Sequence, residues 1–184
     1  MLRILAGERI VLTESRETSS TNIEADVERA YRETRGAICS YLLCLGVSAG
    51  QAQEVTQEVF LRLYQSMRKG EQIISARAWL FRVAHNLGLK VRSAERVFRA
   101  LPENLDRFAA TASESPEQSL LDREKMRRVK EAVASLSPQQ RNCLYLRSEG
   151  LRYREIADVL NVSASTVNEF LRRAIARLAE VANG

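Results

Sequence analysis

The sequence holds one histidine (His85) and three cysteines (Cys39, Cys44 and Cys143) among 184 residues. A single histidine with scattered cysteines makes no zinc-ligand set, and an odd cysteine count makes no even disulfide framework. Such usage fits a reducing compartment, so the chain is expected to be cytoplasmic. Prolines number three and glycines eight, few for a β-rich fold built on turns, and no alternating strand pattern of useful length occurs. No apolar run approaches a membrane span. The opening MLRILAGERIVL is basic and apolar, but Gly7, Glu8 and Arg9 interrupt it before a signal-peptide core forms. Also missing are a glycine-rich phosphate loop, paired carboxylates in an apolar setting, and a nucleophile placed with the lone histidine. Enzyme chemistry is therefore not expected: no catalytic residue, no metal site and no cofactor. His85 reads as a surface or packing residue.

What is present is helical pattern. Hydrophobic residues make up 45% of the chain, enough to bury one large or two small cores. The net charge of +5 biases the protein mildly toward anionic partners. The fold class this predicts is all-α: two small helical domains joined by a flexible linker.

Residues 1–21 end in a polar stretch without periodicity and read as a disordered N-terminal tail. From about Ile23, the positions Val27, Tyr31, Thr34, Ile38, Tyr41 and Leu45 alternate spacings of four and three, one amphipathic helix that GVSAG (46–50) breaks. The next helix, about 51–68, turns Val55, Val59, Phe60, Leu63, Tyr64 and Met67 inward. Gln51, Gln53, Glu54, Gln57 and Glu58 form its outer surface, by default a solvated face. After the loop 69–75, Ser75 can cap a third helix with Leu80, Val83, Ala84, Leu87 and Val91 inside. Its basic residues include Arg77, Arg82, Lys90, Arg92, Arg96 and Arg99. A basic helix that opens with Trp79 and Phe81 suits single-stranded nucleic acid, with phosphates on the cations and bases against rings. The plainer reading makes both aromatics core, Trp79 in particular.

Periodicity lapses over 101–116 (LPENLDRFAATASESP), the natural linker between a first domain at 22–100 and a second at 117–184. It carries no apolar stripe to hold the halves together, so they are expected to move semi-independently. Ser115-Pro116-Glu117-Gln118 and Ser137-Pro138-Gln139-Gln140 each combine a capping box with proline at the first helical position. Met126, Val129, Val133 and Leu136 stripe the helix after the first box, and Gly150 ends the one after the second.

Residues 151–179 then read as a helix-turn-helix. Leu151, Ile156, Ala157 and Leu160 line one side of the first helix. Asn161 stands where the chain reverses, a residue that tolerates the left-handed backbone, and Ser163 can cap the second helix. There Val167, Phe170, Leu171, Ala174, Ile175 and Leu178 form the buried stripe. The opposite face shows Ser165, Thr166, Asn168 and Glu169 first, and Arg172, Arg173 and Arg177 later. Hydrogen-bonding groups early and arginines late suit a helix in a major groove, its first turns at the bases and its flank at phosphates. A helical hairpin with a wet polar face is the plain alternative. Glu169 also has two readings: its carboxylate can accept from cytosine N4, or it favours the helix dipole and pairs with Arg172 or Arg173.

VTQEVFLRLY (55–64) followed by ARAWLFRVAHNL (76–87) resembles region 2 of bacterial sigma factors. LSPQQRNCLYLRSEGLRYREIADVLNVSASTVNEFLRRAIARL (136–178) resembles their region 4. Their order and the linker between them resemble the small two-domain extracytoplasmic-function (ECF) class, over roughly residues 22–180. The resemblance implies a promoter-specificity subunit of bacterial RNA polymerase, without membrane insertion. Its implied partners are core RNA polymerase, promoter DNA and an anti-sigma factor. By the family pattern, Gln51, Gln53, Glu54, Gln57 and Glu58 match the surface that binds the clamp helices of the largest core subunit. Arg82, Asn86, Lys90 and Arg92 match positions that handle the −10 strand, with loop 69–75 placed to receive a flipped base. Region 4 docks on the β flap, and Ser165, Thr166, Asn168, Glu169, Arg172 and Arg173 would read the −35 element.

The chain departs from that pattern at glutamines 51 and 53, where carboxylates are usual, and at Asn168-Glu169-Phe170, where a basic residue, serine and arginine are frequent. Residues 1–20 have no counterpart. The alternative function is a helix-turn-helix transcriptional regulator that binds duplex DNA without polymerase core.

Overall fold

A computed structural model describes residues 4–98, 127–128 and 131–183 of the chain. Six helices are assigned there: α1 (Ile4–Leu45), α2 (Ala49–Arg68), α3 (Ala76–Phe98), α4 (Pro138–Ser148), α5 (Tyr153–Leu160) and α6 (Ala164–Asn183). Residues 131–134 are helical as well, and no strand occurs among the described residues. The linker 101–116, the box at Ser115–Gln118, and Met126 and Val129 lie outside them.

Helix α1 starts earlier than the sequence reading has it, within the segment taken for a tail. Residues 4–22 contain Gly7 but no proline, so the hydrogen-bonded ladder meets nothing that must interrupt it. The other end follows expectation. Gly46 adopts φ 94°, and the amides of Gly46 and Val47 return to the carbonyls of Leu43 and Leu42, both at 3.0 Å. Such a pair of bonds closes a helix only around a left-handed residue. Gly150 closes α4 in the same way, and at the start of α4 Ser137 and Gln140 exchange both bonds of the capping box.

In the first three-helix unit, Ile38, Tyr41 and Leu42 of α1 meet Val59, Phe60 and Leu63 of α2 and Leu80, Phe81 and Ala84 of α3, all buried. Each large side chain fully removed from water contributes about 1.5–3 kcal/mol. Gly88 lets α3 lie close on α1, since a Cβ there would stand 2.7 Å from Cδ2 of Leu45 and 2.8 Å from that of Leu42. Of the two aromatics at the head of α3, Phe81 is fully buried and Trp79 packs at the margin of the core.

In the second unit α6 packs on α4 and α5 through Val167, Leu171 and Ala174, against Cys143, Leu146, Leu151, Ile156 and Val159. Several expected core positions differ, Val133, Phe170 and Leu178 being only half-buried. Ile175 is 56% exposed, because it lies roughly 80° round the helix from Val167 at 3.6 residues per turn, on the edge of the stripe. Leu160 is only half-buried, and Val159 takes the inner place.

The two units share one apolar cluster, contrary to the expectation of semi-independent halves. Helix α5 packs on α3, and α4 on α1. The Tyr145 hydroxyl donates to the Ala37 carbonyl at 2.9 Å, and its ring lies 5.5 Å from that of Tyr41. Arg77 of α3 donates through Nε to the Glu149 carbonyl at 2.7 Å and pairs through Nη2 with the Glu149 carboxylate. No linker stripe is needed for this, because the contacts come from the helices themselves.

Candidate nucleic-acid interface

The helix-turn-helix is built as its residues require. Asn161 takes φ 53°, ψ 50°, and the Val162 amide returns to the Ala157 carbonyl at 3.1 Å. The Thr166 amide donates to Ser163 Oγ at 3.1 Å, so Ser163 caps α6. The same oxygen lies 2.8 Å from both Ser165 Oγ and Thr166 Oγ1, a cluster that holds three hydroxyls at the start of the helix. Asn168, Arg172 and Arg173 are exposed beyond it. Glu169 accepts from Arg172 Nε and Nη2, both at 3.2 Å, and from Arg173 Nε at 2.6 Å. These bonds, Arg172 first, hold its carboxyl below the usual glutamate range. In the free chain Glu169 thus organises two arginines that face solvent.

On α3, Arg82, Asn86 and Lys90 are exposed at spacings of four and form one row. Arg92 does not join it. Its Nη1 donates to the Leu45 carbonyl at 3.1 Å and its side chain lies against Gly46, where it satisfies the end of α1. A cavity of about 310 Å³ opens at the head of the row. Ile73, Ile74, Trp79 and Arg82 line one side of it, and Glu155, Asp158 and Val159 of α5 wall the other. Ile74 is fully exposed.

The outer face of α2 presents Gln53, Glu54 and Gln57 to solvent. Gln51 and Glu58 are half-buried, Gln51 accepting from Ser48 Oγ at 2.9 Å and Glu58 from Arg62 Nε at 2.7 Å. The sequence reading missed Leu61, an apolar side chain 50% exposed on this same face. Its place off the Val55–Val59–Leu63 stripe was the available signal. His85 is a packing residue: it is buried, with Nδ1 2.8 Å from the Tyr41 hydroxyl. Among the described residues no three metal-ligating side chains come together. None of their helices is long and apolar enough to cross a membrane.

A basic helix with an exposed polar row, followed by a capped helix-turn-helix, defines a two-unit helical transcription factor. The family described as Sigma-70 region 2 matches residues 30–96, and that described as Sigma-70, region 4 matches 126–178. The ECF RNA polymerase sigma factor SigL of Mycobacterium tuberculosis is 32% identical over 171 residues, spanning 89% of this chain and 93% of SigL. RNA polymerase sigma factor YlaC of Bacillus subtilis is 28% identical over 151 residues, 80% of this chain and 87% of YlaC. The chain belongs to the ECF sigma factors. Two solved structures share its fold. The sigma factor RpoE of Bartonella quintana, in complex with the anti-sigma factor NepR, superposes with TM-score 0.61 at 19% identity, over 85% of this chain and 96% of RpoE. CnrH, in complex with the cytosolic domain of CnrY, gives 0.57 at 18%, over 91% and 94%.

Proposed function

We propose that this ECF sigma factor binds core RNA polymerase through the outer face of α2, places α6 in the −35 major groove, and helps open the −10 element along α3. The observation that carries the reading is the exposed row Arg82, Asn86, Lys90 on the same chain as the Ser163-capped recognition helix. Cations spaced along a helix neutralise a phosphate backbone, while an amide between them reads or holds a base. The cavity beside Trp79 and Arg82, with loop 69–75 on its rim, suits an unstacked base against a ring. Glu54 and Gln57 offer the core enzyme a polar surface around the exposed apolar Leu61. The free energy for opening DNA comes from these contacts and the polymerase, with no catalytic group of this chain involved. The protein acts in the cytoplasm. An anti-sigma factor is a further partner, as NepR is for RpoE.

Two measurements test this. The chain should co-purify with core polymerase and direct transcription from a promoter; specific binding to duplex DNA with no affinity for the core enzyme would identify a free-standing regulator instead. Replacing Asn86 and Lys90 by alanine should spare core binding and closed-complex formation yet reduce permanganate reactivity of thymines near −10. Wild-type reactivity in that variant would remove α3 from strand opening.

A further inference from the structure

Helix α1 carries a glycine that nothing inside the molecule requires. Gly36 lies within the helix without a left-handed backbone, and a Cβ there would meet nothing within 4 Å. Gly88 shows the contrast, since Leu42 and Leu45 occupy the space beside it. Only proline is worse than glycine in a helix interior, so Gly36 weakens α1 with no gain in internal packing. What it borders is a cavity of about 350 Å³ between α1 and α2. Tyr31, Arg35 and Cys39, at spacings of four on α1, line it together with Gln53, Thr56 and Gln57 of α2.

One wall of the cavity is cationic and the other is lined by amides. Of the arginines along this stretch of α1, Arg29 pairs with Asp26 and Arg32 with Glu28, whereas Arg35 meets no carboxylate among the described residues. Arg35 is exposed, and its guanidinium lies over the Tyr31 ring, 5.5 Å from the centroid. That ring is itself held edge-on by the buried Phe60, with centroids 4.9 Å apart. The guanidinium thus rests on a fixed support while its fork of N–H donors stays uncommitted. On the α2 side, Gln53 and Gln57 are exposed and have no hydrogen-bonded partner among the described residues. This make-up suits a carboxylate. The guanidinium supplies charge-assisted donors, the amides supply more, and Gly36 leaves room for the chain that carries the acid.

We infer that core RNA polymerase inserts an acidic side chain between α1 and α2, where Arg35 receives the carboxylate and Gly36 permits close approach. This rests on the reading of the α2 outer face as the core-binding surface, with which the cavity shares Gln53 and Gln57. A partner docked on that face covers the mouth of the cavity. The pocket also adds a contact of opposite sign: Glu54 attracts positive charge and Arg35 negative. A partner must then carry both charges in the matching order, which sharpens discrimination beyond what either contact gives alone.

The affinity of the full chain for immobilised core polymerase, measured by surface plasmon resonance, tests the pocket. Arg35→Gln should weaken binding on the order of tenfold, the scale expected for one lost charge-assisted contact. Arg35→Glu should weaken it further, because two carboxylates then face each other. Arg32→Gln makes the same change of charge outside the cavity on the same helix and should leave affinity near the wild-type value. Gly36→Gln fills the space beside Arg35 with a good helix former, so its thermal midpoint should hold or rise while its affinity falls. A position that serves only the fold would not move stability and binding in opposite directions. Wild-type affinity in both Arg35→Gln and Gly36→Gln overturns the inference. Equal losses in Arg35→Gln and Arg35→Glu also overturn it, since no carboxylate would then face Arg35. A matching loss in Arg32→Gln does the same by reducing the effect to net charge. The α2 face is scored separately, with Glu54→Arg and Glu58→Arg combined. If that double variant loses core binding while the Arg35 and Gly36 variants keep it, the pocket fails and the face stands; if the double variant keeps it, the reading of the face fails whatever the cavity variants show.

Discussion

The hydroxyl of Tyr41 lies 2.8 Å from Nδ1 of His85, joining α1 to α3 inside the core beside Phe81 and Tyr145. Burial pushes the Tyr41 phenol well above its usual range and lowers the imidazole below 6.5. Both groups are therefore neutral at physiological pH, which lets a polar pair occupy an apolar site. The pair is one reason the only histidine of the chain stands where it does.

Acid should expose this arrangement. As pH falls below about 6.5 the unfolded chain protonates its histidine while the folded chain does not, so the unfolded state binds more protons and stability falls. The loss has an upper limit of about 1.4 kcal/mol per pH unit for one group and ends once the folded pKa is passed. Urea unfolding over this range should show a steeper decline for the wild type than for His85→Gln. Parallel slopes would mean that His85 titrates alike in both states.

Two glycines within helices should respond in opposite directions to alanine. At Gly36 a Cβ meets nothing within 4 Å, so Gly36→Ala gains helix propensity and should stabilise by up to about 1 kcal/mol. At Gly88 the same gain is opposed by contacts of 2.7 and 2.8 Å with two buried leucines. Overpacking of this kind costs about 1–3 kcal/mol, so Gly88→Ala should destabilise overall. Thermal midpoints of the two variants decide the matter, and a stabilised Gly88→Ala would show that Leu42 and Leu45 have room to move.

The polar face of α2 should be separable from its core. Glu54→Arg with Glu58→Arg should weaken co-purification with core polymerase and leave helix content intact, because the buried Val55, Val59 and Leu63 are untouched. The Glu58–Arg62 pair that is lost is exposed and worth well under about 1 kcal/mol. Undiminished retention on core enzyme would remove this face from the contact.

Glu169 is held by two arginines in the free chain, but ion pairs this exposed are screened by solvent and are readily exchanged for a base edge. Glu169→Gln should cost about 1–3 kcal/mol at the cognate −35 element and relax preference at one base pair. Arg173→Ala should weaken all sequences alike and flatten the salt dependence. A −35 library transcribed with Glu169→Gln separates the roles: an unchanged base profile would leave Glu169 as the partner of Arg172 and Arg173 alone.

Much of the local structure was legible in the residues. Ser137, Ser163, Gly46, Gly150 and Asn161 act within a few positions of themselves, through bonds to the nearest amides and carbonyls, so a short window of sequence is enough to read them. The stripes of α1, α2 and α6 were legible for a similar reason, since helical spacing sorts residues onto faces. Periodicity says that a face must be buried and is silent about what buries it. That Phe81 goes inside and Trp79 to the margin, that Arg92 leaves the basic row for the end of α1, and that Ile175 stays in solvent depend on which faces meet. The contact between the two units depends on it most. Arg77 and Glu149 stand 72 positions apart, and Ala37 and Tyr145 stand 108 apart. Sequence alone determined where helices are capped and striped and which polar groups their outer faces carry. Only the tertiary structure decided that the second unit lies across the first, because that arrangement rests on pairings between distant residues that no local pattern records.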